Sequence, residues 1–133
     1  NLRRDIMALL DELQIPYEDF GPKNNDSVDY PDYARPVAEK VASGEFDKGI
    51  LICGTGIGIS IAANKFKGIR CALVHDVFSA KATRAHNDSN ILAMGERVIG
   101  FGLAREIVLA WLNTEFEGGR HVARIQKIAD IEE

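Results

Sequence analysis

The sequence is poor in cysteine and has no excess of basic residues. Its 133 residues include two cysteines, 16 Lys+Arg and 20 Asp+Glu. Cys53 and Cys71 are too few for a disulfide scaffold and lack zinc-site spacing. A net charge of −4 argues against nucleic-acid or membrane-surface partners, which need a basic face. No apolar run approaches the roughly 18 residues of a spanning helix, and no signal peptide pattern is present. We therefore predict a cytoplasmic protein with reduced thiols.

The composition is that of a folded domain. Apolar residues make up 46% of the chain and charged residues 27%, which predicts a single domain over residues 1–133. The chain opens without Met on a helical pattern that includes Leu2, Ile6 and Leu9. Because this amphipathic helix has no cap at residue 1, we expect a strand in front of it.

Short apolar segments alternate with helical patterns along the chain. We predict strands at 17–20, 49–53, 70–74 and 90–94, a polar loop at 23–27, and helices from residue 1 and at 31–43, 58–66, 77–86, 100–113 and 119–130. This alternation indicates right-handed βαβ units, a parallel sheet and one α/β/α sandwich. Ligands of such sheets bind beyond the carboxyl ends of the strands.

A glycine-rich loop follows the second predicted strand. Gly54, Gly56 and Gly58 let the backbone turn tightly and point several N–H groups into one concavity at a helix N-terminus. Such a nest binds phosphate, carboxylate or a developing oxyanion, although the glycines could instead serve close strand–helix packing. The loop fails the Walker A pattern, because Ile59-Ser60 follows it. It also fails the dinucleotide fingerprint, although Asp76 lies near the position of a ribose-binding acid.

Cysteine and histidine side chains flank this region. Cys53 precedes the nest, where N–H groups would stabilise a thiolate, or it is a small buried core thiol. Cys71 has no such setting and is predicted to lie in the core. His86, at a helix end, is either a proton shuttle or a partner of the helix dipole. No metal-ligand spacing links it to the other histidines, His75 and His121.

Arg120 and Arg124 share one face near the start of the last predicted helix. They repel each other and face the unfavourable end of the helix dipole. Two arginines in that position suggest a bound anion such as phosphate, or else they are solvated surface residues.

Five motifs together resemble the type B ribose-5-phosphate isomerases, a family that includes the allose-6-phosphate and galactose-6-phosphate isomerases. These motifs are Asp29–Pro31, Ile52–Lys65, Arg84–Asp88, Gly95–Gly100 and Glu117–His121. They occur in family order over essentially the whole chain. The resemblance implies a Rossmann-like, five-stranded parallel sheet whose first strand, ending in Asp-His, would precede Asn1. It also implies a homodimer or a dimer of dimers, with sites at the subunit interface.

The resemblance further implies reversible conversion of ribose 5-phosphate to ribulose 5-phosphate in the pentose phosphate pathway, without metal or organic cofactor. Cys53 would be the base, because the loop offers no carboxylate near Ile59, where some members have a glutamate. Thr55 would assist at the sugar oxygens, and the N–H groups from Gly54 to Gly58 would hold the enediolate.

The remaining site residues follow from the same resemblance. His86 would help to open the furanose ring, with Asn87 beside it, and both would reach into the partner subunit's site. Arg120 and Arg124 would bind the phosphate, with Arg97 contributing across the interface. Tyr30 would line the sugar pocket. The main alternatives are a six-carbon sugar phosphate as substrate, or a non-catalytic nucleotide-binding module.

Overall fold

A computed structural model of the chain describes residues 2–21 and 29–132. In chain order the elements are α1 (Leu2–Glu12), α2 (Tyr30–Ala42), β1 (Gly49–Cys53), α3 (Ile57–Ala63), β2 (Cys71–Leu73), α4 (Val77–Asn87), β3 (Ile91–Gly95), α5 (Phe101–Asn113) and α6 (Arg120–Ile131). All six predicted helices and three of the four predicted strands are present. The loop predicted at 23–27 lies outside the described residues.

The three described strands form a parallel sheet in the order β1-β3-β2. The central strand β3 is buried at every position, which explains its unbroken apolar sequence. Leu92 and Met94 belong to a core formed with α1, α4 and α5, whereas Ile91 and Ala93 belong to a core formed with α2 and α3. Because successive side chains of a strand point to opposite faces, helices cover both faces of the sheet. The α/β/α sandwich and the parallel sheet are therefore confirmed.

A buried polar network holds the turn between α4 and β3. The indole N–H of Trp111 donates to the hydroxyl of Ser89 at 2.9 Å, and both residues are fully buried. The guanidinium of Arg84 donates to the carboxylate of Asp88 at 2.8 Å and to the carbonyl of Ser89 at 2.7 Å. These bonds fix the end of α4, where His86 lies.

The strand predicted at 17–20 is wrong, because this segment has no regular structure. The segment and β1 line the same groove, and no described strand pairs with the segment. The groove has a volume of about 1380 Å³. The apolar side chains that line it include Ile6 and Leu10 of α1, Val37 and Val41 of α2, and Ile50 and Ile52 of β1. One long edge of β1 therefore faces this groove.

No described helix is long and apolar enough to cross a membrane.

Candidate active site

The loop after β1 folds back on the Cys53 side chain. The N–H of Gly56 donates to the Cys53 sulfur at 3.1 Å, and the N–H of Ile57 donates to the Thr55 hydroxyl oxygen at 3.2 Å. Gly56 has φ +78°, and an added Cβ would lie 2.8 Å from the backbone of Met94. Only glycine adopts this left-handed conformation without steric strain, because it has no Cβ. The loop thus points a backbone N–H at the Cys53 sulfur.

The ends of the three strands meet around this loop. The N–H groups of Glu96 and Arg97 donate to the carbonyls of Cys53 and Gly54 at 2.9 and 3.0 Å. Gly95 pairs with Cys53 in the sheet, and its N–H donates to His75 Nε2 at 2.9 Å. The carboxyl ends of β1, β2 and β3 therefore form one connected surface, as expected for a parallel sheet.

The Cys53 loop opens into one end of the groove beside β1. Tyr30 lies against the loop, and an added Cβ at Gly58 would lie 2.6 Å from its ring. The aliphatic stem of Arg97 lies 3.6 Å from the place of a Cβ at Gly54. This end of the groove is lined by Tyr30, Cys53, Gly54, Thr55, Gly58, Glu96 and Arg97. Arg97 therefore lies beside Cys53 in its own chain, whereas the resemblance implies a contribution across an interface.

Not all N–H groups of the glycine loop are available to a ligand. Those of Gly56 and Ile57 already bond within the loop. The N–H groups of Gly54 and Thr55 have no acceptor within the described part of the chain. The anion-binding nest predicted over Gly54–Gly58 therefore has fewer N–H groups open to a ligand than expected.

Cys71 has a different environment from Cys53. It lies in β2, and burial raises the pKa of its thiol to about 12. Cys71 packs against the core on the α2 and α3 side, as predicted. It therefore stays a thiol at neutral pH and offers no nucleophile or base.

A second cluster of polar side chains joins the end of α4 to the start of α6. The rings of His86 and His121 stack with their centroids 4.5 Å apart. Glu117 Oε1 lies 3.9 Å from His86 Nε2 and 3.5 Å from His121 Nε2. The pKa of His121 is lowered, mainly by burial and also by the charges of His86, Arg120 and Arg124, while Glu117 opposes the shift. Sequence spacing gave no link between these histidines; the fold brings two of them together.

The two clusters lie at opposite ends of the sheet. α4 ends at Asn87, shortly before β3 begins at Ile91, whereas Cys53 pairs with Gly95 at the other end of β3. Five residues of strand separate these ends by about 13 Å. None of the four residues His86, Asn87, Arg120 and Arg124 lines the groove that contains Cys53. One chain therefore does not bring the predicted base and the predicted phosphate ligands together.

Asp76 has a structural partner. Its carboxylate accepts the N–H of Ser79 at 2.7 Å and its hydroxyl at 2.9 Å, which caps α4. These bonds lower the pKa of Asp76. A carboxylate engaged as a helix cap is not free to bind a ribose hydroxyl.

Three residues at these sites were not predicted to take part in them. His75 supports Gly95, and its position directly after the β2 segment was the available signal, since ligands gather at strand ends. Glu96 lines the Cys53 end of the groove. The N–H of Glu117 donates to the carbonyl of Ala85 at 3.0 Å, a contact that no sequence pattern reveals.

Comparison with known proteins decides the family. The model of the family described as Ribose/Galactose Isomerase matches residues 1–128. The chain belongs to the ribose/galactose isomerase family. The predicted resemblance is therefore confirmed.

The names of relatives in the ribose/galactose isomerase family refer to several different substrates. A Bacillus subtilis protein provisionally named a sugar phosphate isomerase is 72% identical over 100% of this chain and 90% of its own length. Ribose-5-phosphate isomerase B of Escherichia coli is 52% identical over 99% of this chain and 89% of its own length. D-erythrulose-4-phosphate isomerase 2 of Mycolicibacterium smegmatis is 48% identical over 98% of this chain and 84% of its own length.

Solved structures have the same fold. Ribose-5-phosphate isomerase B of Clostridium thermocellum matches with a TM-score of 0.97 and 55% identity, over 99% of this chain and 89% of that one. Ribose-5-phosphate isomerase B of Mycoplasma genitalium with bound ribulose-5-phosphate matches with a TM-score of 0.95 and 42% identity, over 98% of this chain and 88% of that one.

Proposed function

We propose that the protein interconverts ribose 5-phosphate and ribulose 5-phosphate by proton transfer. The observation that carries this function is the Cys53 sulfur, hydrogen-bonded to the Gly56 N–H beside the open N–H groups of Gly54 and Thr55. Removal of a proton next to a carbonyl needs a base and a place for the negative charge of an enediolate. The loop offers both. Family relatives named ribose-5-phosphate isomerase B support the choice of sugar.

The proposed reaction begins with the open-chain aldose at the Cys53 end of the groove. The Cys53 thiolate takes the proton from C2, and the electron pair moves into the C1–C2 bond while the carbonyl oxygen becomes negative. The N–H groups of Gly54 and Thr55 hold this oxygen, and the Thr55 hydroxyl, which accepts from Ile57, keeps its proton to donate. The Thr55 hydroxyl relays a proton from the C2 hydroxyl to the C1 oxygen. Return of the first proton from Cys53 to C1 then gives the ketose and regenerates the thiolate.

Ring opening and phosphate binding need residues from the other end of the sheet. We assign His86 and Asn87 to ring opening and Arg120 and Arg124 to the phosphate, all acting on the site of a second copy. The separation of the two clusters along β3 supports this assignment, since the reacting carbons and the phosphate belong to one small molecule. Glu96 and Arg97 would line the sugar pocket from the Cys53 side.

Exposed apolar side chains support assembly with a second copy. α6 is amphipathic, yet His121 is its only residue buried within the described part of the chain. Ile131 is 81% exposed, and Phe78 at the start of α4 is 80% exposed. Further exposed apolar residues are Ile57, Ile61, Val122 and Ile128. Exposed large apolar side chains in such number on a folded chain are typical of subunit interfaces. The proposed assembly is a homodimer, or a dimer of such dimers.

Mixed dimers test the shared site. One subunit carries Cys53→Ala, and its partner carries Arg120→Ala together with Arg124→Ala. If each site combines Cys53 of one chain with the arginines of the other, each mixed dimer keeps one intact site. We expect about half of the wild-type turnover per dimer from purified mixed dimers with two different tags, although each parent homodimer is inactive at low substrate concentration.

The matched control places all three substitutions in one subunit and pairs it with a wild-type subunit. Both sites of this dimer are then broken, so it should be inactive. Half activity from the control, with none from the mixed dimer, would show that each site is built within one chain.

We also propose a further strand beside β1, within the five-stranded sheet that the family resemblance implies. The Gly49 N–H and the Cys53 carbonyl bond toward β3, so the N–H groups of Ile50 and Ile52 face the groove. Hydrogen exchange on the expressed protein tests this proposal. Slow exchange at Ile50 and Ile52 is the expected result. Exchange as fast as that of exposed loop amides would mean that no strand pairs there.

The first assay is ketose formation from ribose 5-phosphate in the presence of EDTA. We expect steady turnover. Allose 6-phosphate, galactose 6-phosphate and D-erythrulose 4-phosphate follow in the same assay, the last because of the Mycolicibacterium relative. Turnover of one of these, with none of ribose 5-phosphate, would reassign the sugar. No turnover of any of these sugar phosphates would overturn the isomerase function and favour a nucleotide-binding module, against which the helix-cap role of Asp76 already argues.

The cytoplasmic location stays a prediction.

A further inference from the structure

Three potential metal ligands meet where α4 ends and α6 begins. His86, Glu117 and His121 each offer one ligand atom, and all three atoms lie within 4.8 Å of one another. The three residues come from α4, from the segment before α6 and from the first turn of α6. Backbone bonds hold them in place, since the Glu117 N–H donates to Ala85 and the His121 N–H donates to Gly118. The cluster is therefore a product of the tertiary fold.

The Glu117 carboxylate is spaced from the two imidazoles almost as in a zinc site. Bonds of 2.0–2.1 Å in a tetrahedral arrangement put neighbouring ligand atoms about 3.3 Å apart. Glu117 Oε1 lies 3.5 Å from His121 Nε2 and 3.9 Å from His86 Nε2. The three ligand atoms lie within 4.8 Å of one another, and the two imidazole rings are stacked with an interplanar angle of 17°. Zinc binding therefore requires the His86 ring, whose side chain is 46% exposed, to rotate out of this stack. His121 is buried and is the fixed ligand.

The donor set fits a borderline metal rather than calcium or magnesium. Two imidazoles and one carboxylate are a common zinc combination, and three protein ligands leave a fourth position for water. Calcium and magnesium prefer oxygen ligands only. We propose that His86, Glu117 and His121 bind Zn²⁺ or a similar divalent transition metal, and that this metal inhibits the enzyme. The inhibition rests on the proposed function, because it withdraws His86 from ring opening.

Two charges act against the cation. Arg120 and Arg124 are close enough to influence His121 electrostatically, and both are positive. They weaken the binding of a divalent cation, whose charge is offset only by Glu117 within the cluster. A bound sugar phosphate would neutralise the two arginines and compete for His86 at the same time. Zinc is thus expected as a reversible inhibitor that chelators remove, not as a permanently bound ion.

Competition with a chromophoric zinc chelator measures the binding directly. The probe is Zn²⁺ alone, added to the purified protein in phosphate-free buffer. We expect one zinc per chain, and an affinity at least tenfold weaker for Glu117→Gln, because an amide oxygen is a poor zinc ligand. Glu115→Gln is the matched control, since it removes an exposed carboxylate from the same segment outside the cluster. Its affinity should equal that of the wild type.

Cys53 is the competing zinc ligand, and Cys53→Ser separates the two sites. Unchanged zinc affinity in this variant supports the cluster. Loss of binding in Cys53→Ser, with no change in Glu117→Gln, would overturn the proposal.

Inhibition is then measured with ribose 5-phosphate over the same zinc range. Wild type and Glu115→Gln should lose turnover as the cluster fills, and EDTA should restore it. Glu117→Gln should need at least ten times more zinc. Zinc binding at the cluster with undiminished turnover would overturn the inhibitory role while leaving the metal site in place. An enzyme that binds zinc as expected but turns over no sugar phosphate would instead contradict the proposed function.

Discussion

Replacement of Cys53 by alanine is expected to lower kcat for ribose 5-phosphate by about 10³-fold or more. The sulfur is the group that would carry the proton between C2 and C1, and loss of a general base typically costs 10²- to 10⁴-fold in rate. The N–H groups of Gly54 and Thr55 remain in the variant, so substrate binding should change little. Steady-state kinetics and a binding titration with ribulose 5-phosphate separate the two quantities.

Cys71→Ala is the matched control for this substitution. Its thiol is buried in β2 with a pKa raised to about 12, so it has no thiolate to lose at neutral pH. We expect unchanged kcat and a modest loss of stability from the small cavity. Near wild-type turnover of Cys53→Ala would exclude the sulfur as the base. Equal losses in both variants would point to packing instead of chemistry.

Gly95→Ala is expected to damage the site without touching a reacting group. An added Cβ would lie 2.5 Å from the backbone of Thr55, and backbone atoms cannot move aside as a flexible side chain does. The loop would have to shift away from β3, and overpacking of this kind costs about 1–3 kcal/mol. Because the loop carries Cys53 and the open N–H groups, we expect kcat to fall about 10²-fold. Thermal unfolding and kinetics measure the two effects.

Gly102→Ala is the comparison for the same chemical change. It lies in α5, and an added Cβ would have no atom within 4 Å. Alanine favours the helix over glycine by roughly 0.5–1 kcal/mol, so this variant should be slightly more stable and fully active. If Gly95→Ala behaved like Gly102→Ala, the close approach between β3 and the loop would have no functional importance.

The sequence predicted elements well where local pattern and tertiary environment agree. β1 and β3 are short apolar runs because helices cover both faces of the sheet. The glycines after β1 correctly predicted a tight turn in the loop before α3. The segment 17–20 failed for the opposite reason. Its composition suits a strand, but a strand exists only beside another strand, and the described fold leaves a groove between this segment and β1.

Individual site residues could be predicted from the sequence, but their arrangement in space could not. The position of Cys53 beside the glycines follows from adjacent residues and was predicted directly. The stack of His86 on His121, and the carboxylate of Glu117 beside both, depend on how α4 meets α6. Such contacts carry no period or spacing in the sequence. The family resemblance named the arginines, and the strand geometry supports the proposal that they act on the site of a second copy.

The weak attachment of α6 to its own chain has a thermodynamic consequence. The helix that carries Arg120 and Arg124 leaves most of its apolar side without a cover within the described chain. If a second copy supplies that cover, subunit association and phosphate binding share one free-energy cycle. Substrate then tightens the dimer by the same factor by which dimerisation tightens substrate. On dilution toward the subunit dissociation constant, the enzyme would lose affinity for sugar phosphate before it loses its fold.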